Sequence, residues 1–126
     1  MITEDYVSFE TAKLLKEKGF EDDFCHTAYD CNGEFFWYGD YSKDRKGIMD
    51  APTIQMTMKW LREVHNLFIF ISTWLRHENG TVQYYYEIKN LNDKDFETIA
   101  ESTITEFDSP EKTGEAAIKY CLENLI

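Results

Sequence analysis

The chain has 126 residues, below the roughly 150 per domain that serves as a prior, which favours one domain and nearly excludes a two-domain enzyme. Hydrophobic residues make up 43% and charged residues 29%, enough apolar material for a domain of this size to bury roughly two-thirds of its unfolded surface. With 13 Lys plus Arg against 24 Asp plus Glu the net charge is −11, which disfavours direct binding to nucleic acid or an anionic membrane, because neutralising phosphates needs clustered cations.

The first element is a helix over 9–18. Ser8 is its N-cap, and Val7 is placed to staple onto Ala12. Gly19 ends it in the left-handed conformation, which lets Phe20 fold back on Leu15. Phe9, Ala12 and Leu15 form the inner stripe. A hairpin follows, with strands over 26–31 and 34–38 around Asn32-Gly33, a pair suited to a type I′ turn. A two-residue loop sets Tyr29 opposite Phe36 and Ala28 opposite Trp37, and since both faces carry aromatic groups the pattern leaves the inner face open. Residues 39–50 read as an exposed loop.

A second helix over 52–66 starts with Pro52 in its first turn. At about 100° per residue, Met56, Trp60, Val64, Thr57, Leu61, Ile54, His65 and Met58 share an arc of about 200°, which predicts deep burial. A second hairpin spans 67–89 around Asn79-Gly80. Its register predicts a core face of Ile69, Ile71, Thr73, Leu75, Val82, Tyr84, Tyr86 and Ile88. The opposite face holds Phe70, Ser72, Trp74, Arg76, Gln83, Tyr85, Glu87 and Lys89. Residues 90–95 form a turn or loop, and 98–107 a fifth strand at the sheet edge. The last helix opens on Ser109 as N-cap, Pro110 and Glu111, with Ala117, Ile118, Cys121, Leu122 and Leu125 as its apolar stripe. The order α-ββ-α-ββ(β)-α predicts a single α+β domain over 1–126, an antiparallel sheet built from the two hairpins plus an edge strand, with the three helices mainly on one face.

The acid is concentrated in two segments. Between 19 and 42, Glu21, Asp22, Asp23, Asp30, Glu34 and Asp40 stand without a Lys or Arg, giving −6. Between 93 and 115, Asp93, Asp95, Glu97, Glu101, Glu106, Asp108, Glu111 and Glu115 face only Lys94 and Lys112, again −6. Such segments are ordinarily solvated faces that keep a protein soluble; the sharper reading is an acidic surface presented to a basic partner. The opening Met1-Ile2-Thr3-Glu4-Asp5 has neither the cations nor the apolar run of a signal peptide. No stretch approaches the roughly 18 apolar residues of a membrane span, and three cysteines form no disulfide framework. These features predict a cytoplasmic protein.

Cys25, His26 and Cys31 lie close in sequence but lack the short Cys-x-x-Cys spacing of a zinc knuckle and a fourth ligand, so they read as ordinary sheet residues. Cys121 reads as a buried thiol, His65 as a packed histidine and His77 as exposed. Asn90, Asn92 and Asp95 miss the calcium-loop spacing, with Lys94 where a ligand is needed. No phosphate loop or dinucleotide fingerprint occurs, and no pair is singled out among 24 acids for acid–base work. No catalytic, metal or cofactor residue is therefore expected. The feature with most weight is the outer hairpin face, where Phe70, Trp74 and Tyr85 sit with Arg76. If nothing covers it, it is an exposed aromatic patch of the kind that dominates interface energies.

Three stretches, Met1-Ile2-Thr3-Glu4-Asp5-Tyr6-Val7-Ser8-Phe9-Glu10-Thr11-Ala12-Lys13-Leu14-Leu15, then Pro52-Thr53 with Met58-Lys59-Trp60-Leu61-Arg62-Glu63-Val64-His65-Asn66, and Glu115-Ala116-Ala117-Ile118-Lys119-Tyr120-Cys121-Leu122-Glu123-Asn124-Leu125, resemble a family of short uncharacterised proteins of phages and mobile elements from anaerobic gut bacteria. The resemblance covers the three helices, about half the chain, and implies a bacterial cytoplasm and a mobile-element origin. It carries no activity, cofactor or catalytic residue. The favoured expectation is a small protein-binding module acting through the aromatic hairpin face, not an enzyme. The alternatives are an acidic nucleic-acid mimic that blocks a DNA-binding host defence protein and, third, an enzyme whose pocket of convergent polar groups the sequence does not reveal. The pattern leaves the oligomeric state and the identity of a partner open.

Overall fold

In the computed structural model, which describes residues 2–21, 25–37, 48–102 and 107–126, helix α1 (Phe9–Glu17) starts where Ser8 turns its hydroxyl onto the Thr11 amide, 3.2 Å away. Val7 and Ala12 are both buried, as a hydrophobic staple requires. At the other end Gly19 has φ +84°. The Phe20 amide donates to Leu15 O at 2.9 Å and the Gly19 amide to Lys16 O at 3.2 Å, which is the Schellman pattern. Phe20 itself is buried. The buried stripe is Thr11, Ala12 and Leu15, while Phe9 is only half-buried.

Strands β1 (Thr27–Tyr29) and β2 (Phe35–Trp37) pair with Tyr29 opposite Phe35 and Ala28 opposite Phe36, one residue away from the expected register. The cause is the turn. The Gly33 amide donates to Asp30 O at 3.0 Å and the Asp30 amide to Glu34 O at 2.9 Å, and among the described residues only Gly33 in this turn has positive φ. Asp30 Oδ1 accepts from the Asn32 and Glu34 amides at 2.8 and 3.0 Å. That side-chain capping favours a three-residue loop with one left-handed glycine over the type I′ loop. The expected exposed loop over 39–50 is corrected at its end: Met49–Asp50 forms β3, paired with β1, while 39–47 lie outside the described residues, as does Tyr38 of the predicted second strand. The Thr27 hydroxyl donates to Ala51 O at 2.7 Å and the Tyr29 hydroxyl to Val7 O at 2.7 Å, tying this sheet to the segments beside it.

Helix α2 (Ile54–His65) begins two residues after Pro52, whose carbonyl is used by the Val7 amide. Asn66, at φ 57°, turns the chain into β4 (Leu67–Arg76). This strand pairs with β5 (Val82–Asn90), and β5 with β6 (Thr98–Glu101). The edge strand is therefore shorter than the expected 98–107. Phe107 returns as a single bridge to Tyr84, and residues 103–106 lie outside the described residues. Helix α3 (Pro110–Asn124) is capped by Ser109, whose Oγ accepts from the Lys112 amide at 3.1 Å. Beside this cap the Lys112 ammonium lies 2.9 Å from the Asp108 carboxylate and holds it below the usual carboxylate range.

The architecture is α+β, with three helices and two antiparallel hairpin sheets in the order α-ββ-α-ββ-α. Among the described residues the two hairpins do not join into the one sheet expected. The strands make two three-stranded sheets, β2-β1-β3 and β4-β5-β6, because each hairpin takes its third strand from nearby chain. These sheets belong to two compact units, residues 1–53 and 54–126. In the first, α1 packs beside β3; in the second, α2 and α3 pack on each other, α2 on β4 and α3 on both β4 and β5. The core of the second unit is Leu61, Ile69, Tyr86, Ile88, Ile118 and Leu122, all buried, each side chain worth about 1.5–3 kcal/mol of transfer free energy. The predicted arc of α2 buries less than expected. Ile54, Thr57 and Leu61 are inside, but Met56 and Val64 are 43% and 58% exposed, because one layer of sheet and one neighbouring helix cover only a narrow stripe.

Candidate functional site

The two faces of the β4–β5 hairpin are fixed by its register. Ile69 pairs with Ile88, Ile71 with Tyr86 and Thr73 with Tyr84, so these residues share one face as expected although the partners differ from those of a two-residue loop; Ile69, Tyr86 and Ile88 are buried there, Ile71 and Tyr84 half-buried, and Thr73, expected inside, is exposed. Two irregularities account for this. The loop has three residues, with the His77 amide donating to Thr81 O at 2.8 Å and Gly80 at φ +87°, and the Asn79 carboxamide accepts from the Thr81 amide at 3.1 Å. A bulge then removes pairing from Trp74, between Thr73 and Leu75. Each shifts the register by one residue, and together they restore the original side-chain parity.

With Ile69, Tyr86 and Ile88 turned to the helices, Phe70, Ser72, Trp74 and Tyr85 occupy the other face. Phe70 is 41% and Trp74 55% exposed, and Tyr85 is half-buried. Trp74 and Tyr85 meet edge-to-face with ring centroids 6.2 Å apart and planes at 89°, a favoured aromatic geometry. The expected aromatic patch thus exists, with two corrections. Arg76 pairs with Val82, which puts it in register with the Tyr84, Tyr86 and Ile88 side, not beside Trp74. Leu75, expected inside, pairs with Gln83 and is 46% exposed. Both follow from the bulge, which inverts parity between itself and the loop. No signal in the sequence marks a bulge at Trp74, and the Asn79-Gly80 loop expected from the sequence is corrected to three residues, 78–80.

The acidic neighbours of this face are Glu87, opposite Phe70, and Glu101, opposite Glu87. Glu87 also accepts from the Thr98 hydroxyl at 3.3 Å. Like charges placed directly across a ladder disfavour each other, so this pair lends the aromatic patch a negative border suited to a cation.

The other candidates are dispersed. Cys25 is buried with its thiol donating to Thr27 O at 3.3 Å, while Cys31 is exposed in the first turn and the His26 ring lies 5.6 Å from that of Trp37. Among the described residues no group of three or more His, Cys, Asp or Glu could hold a metal ion. His65 is half-buried against Trp60 at 4.6 Å, with Nε2 buried and without a hydrogen-bond partner, and His77 is exposed. The side chains of Asn90 and Asp93 are spent on the Asn92 and Asp95 amides, 2.9 and 3.0 Å away, which shapes this loop as successive Asx turns.

Burial pushes the Cys121 thiol up to about 12. Native protein at pH 8 is therefore expected to show one readily reacting thiol, Cys31, with Cys25 and Cys121 reacting only after denaturation; a thiol-specific chromogenic reagent with and without denaturant reads this directly. The neutral thiol is also a stability statement. Its contribution is complete below the thiol's ordinary value of 9.0 and is lost as pH rises from there through about 12.

Comparison with protein-family models, curated proteins and solved structures finds no match. No helix among the described residues is long and apolar enough to cross a membrane.

Proposed function

We propose that the chain is a small cytoplasmic protein-binding module that engages a partner protein through the outer face of the β4–β5 hairpin, and that it is not an enzyme. The observation that supports this reading is the exposure of Trp74 and Phe70 on a face opposite the helices. Trp and Tyr carry a large share of interface energy when they enter a pocket on a partner. Here the edge-to-face Trp74–Tyr85 pair serves as anchor and Phe70 extends it. Glu87 and Glu101 favour a Lys or Arg at the rim of the partner's pocket, a contribution that salt screens. The mobile-element origin belongs to this proposal through the resemblance of the helices alone.

The test is capture of partners by the tagged chain from lysate of its host cells, eluted in rising salt and repeated with Trp74→Arg. The expected result is a specific partner retained to high salt by the parent chain and lost by the variant. A hot-spot loss of about 2 kcal/mol or more corresponds to at least roughly 30-fold in affinity. Circular dichroism of the variant should match the parent, because the replaced side chain is largely in solvent; an unfolded variant would show Trp74 to be core and remove the basis of the reading. Release of the partner at low salt with displacement by duplex DNA would support acidic mimicry instead.

A further inference from the structure

Strand β4 is an edge of its sheet, and among the described residues no strand pairs with its other side. The hydrogen bonds of β5 show which of its backbone groups point outward. The Tyr84 amide donates to Phe107 O at 3.0 Å and the Tyr86 amide to Ser102 Oγ at 2.9 Å, while Tyr86 O accepts from the Ser102 amide at 3.0 Å. Tyr84 and Tyr86 thus commit these groups to the β6 side. Their partners Thr73 and Ile71 must then stand at non-hydrogen-bonded positions of the β4–β5 ladder, with N–H and C=O aimed away from β5. The alternation adds Ile69. An extended edge with successive outward donors and acceptors is a template for another strand.

Charge decides which strand. From 64 to 77 the chain has no Asp or Glu, although its net charge is −11. A basic segment finds no counter-charge on this edge, whereas two copies of an acidic chain repel least where each is free of acid. We infer that β4 pairs antiparallel with β4 of a second copy, about a two-fold axis at Ile71. Ile71 then faces Ile71 of the second copy, and Thr73 faces Ile69 in both directions, as an isologous contact requires. Phe70 comes beside Ser72 of the other copy, so the two aromatic faces join into one. The bulge at Trp74 ends the shared ladder, because the strand bends there.

Sedimentation velocity of the purified chain over a concentration series tests this without any other protein, so its outcome is separate from that of the partner capture. The expected result is a monomer–dimer equilibrium at multiples of 14.9 kDa that tightens as salt is raised, because screening relieves the repulsion between like-charged copies. Thr73→Pro removes an edge-facing N–H and no β4–β5 bond, and Ser72→Glu sets a carboxylate at the joint. Each is expected to weaken the dimer by about tenfold or more with the circular dichroism unchanged. Should the proline variant fail to fold, the glutamate variant carries the test. A chain monomeric at every concentration and salt, a dimer that weakens with salt, or a dimer that neither variant disturbs overturns the inference.

Discussion

Leu61→Ala is expected to cost about 2–5 kcal/mol, a large part of the roughly 5–15 kcal/mol by which a domain of this kind is stable, whereas Val64→Ala on the same helix should stay within about 0.5 kcal/mol. Both residues fall on the apolar arc of α2. Leu61 is fully buried and is the one large apolar side chain of α2 with no exposure, Ile54 retaining 7% and Thr57 being small and polar. Its truncation leaves a cavity in the core that the surrounding structure relaxes around only in part. Val64 is 58% exposed, so its truncation removes little contact and gains some helix propensity. Urea unfolding of the two variants, compared at the midpoint, measures the difference. Equal effects would mean that the arc is buried as widely as the pattern of the sequence suggests.

Gly114→Ala is expected to destabilise although the same change in an ordinary helix interior stabilises by about 1 kcal/mol. A Cβ at Gly114 would stand 2.9 Å from Ile54 Cγ2 and 3.5 Å from Ile71 Cδ1. Ile54 is buried and branched at Cβ, so it has little freedom to withdraw. Overpacking of this kind costs about 1–3 kcal/mol, which exceeds the gain in propensity. Gly114→Val should cost more, since its two methyl groups enter the same space. The decisive measurement is a double-mutant cycle with Ile54→Ala: if the close approach of α3 to α2 is the cause, alanine at 114 becomes neutral or favourable once Ile54 is truncated. An unchanged penalty in the double variant contradicts the packing account.

The sequence was most legible where a single residue closes a local geometry. Ser8, Gly19, Ser109 and Pro110 mark their helix ends in the structure as they do in the sequence, because capping involves only groups within a few residues of one another. The buried part of the second hairpin, Ile69, Tyr86 and Ile88, was legible too, since a period of two survives a pair of irregularities that cancel, whereas Thr73 and Leu75, expected inside, are exposed. The first turn was misread because the Asp30 carboxylate, whose capping of Asn32 and Glu34 selects the longer loop, lies before the Asn-Gly pair that dominates the pattern.

At the site, Phe70, Trp74 and Tyr85 were predictable as a shared face, while Arg76 and Leu75 exchanged sides at a bulge that only strand pairing produces. The sequence by itself determined the helices, the two hairpins and the acid-poor aromatic strand, all of which arise from neighbours along the chain. The tertiary structure alone decided that the hairpins enter separate sheets, which part of the α2 arc is inside, and why Gly114 must lack a side chain. Those outcomes depend on which distant surfaces come together, and hydrophobic burial has no direction until they do.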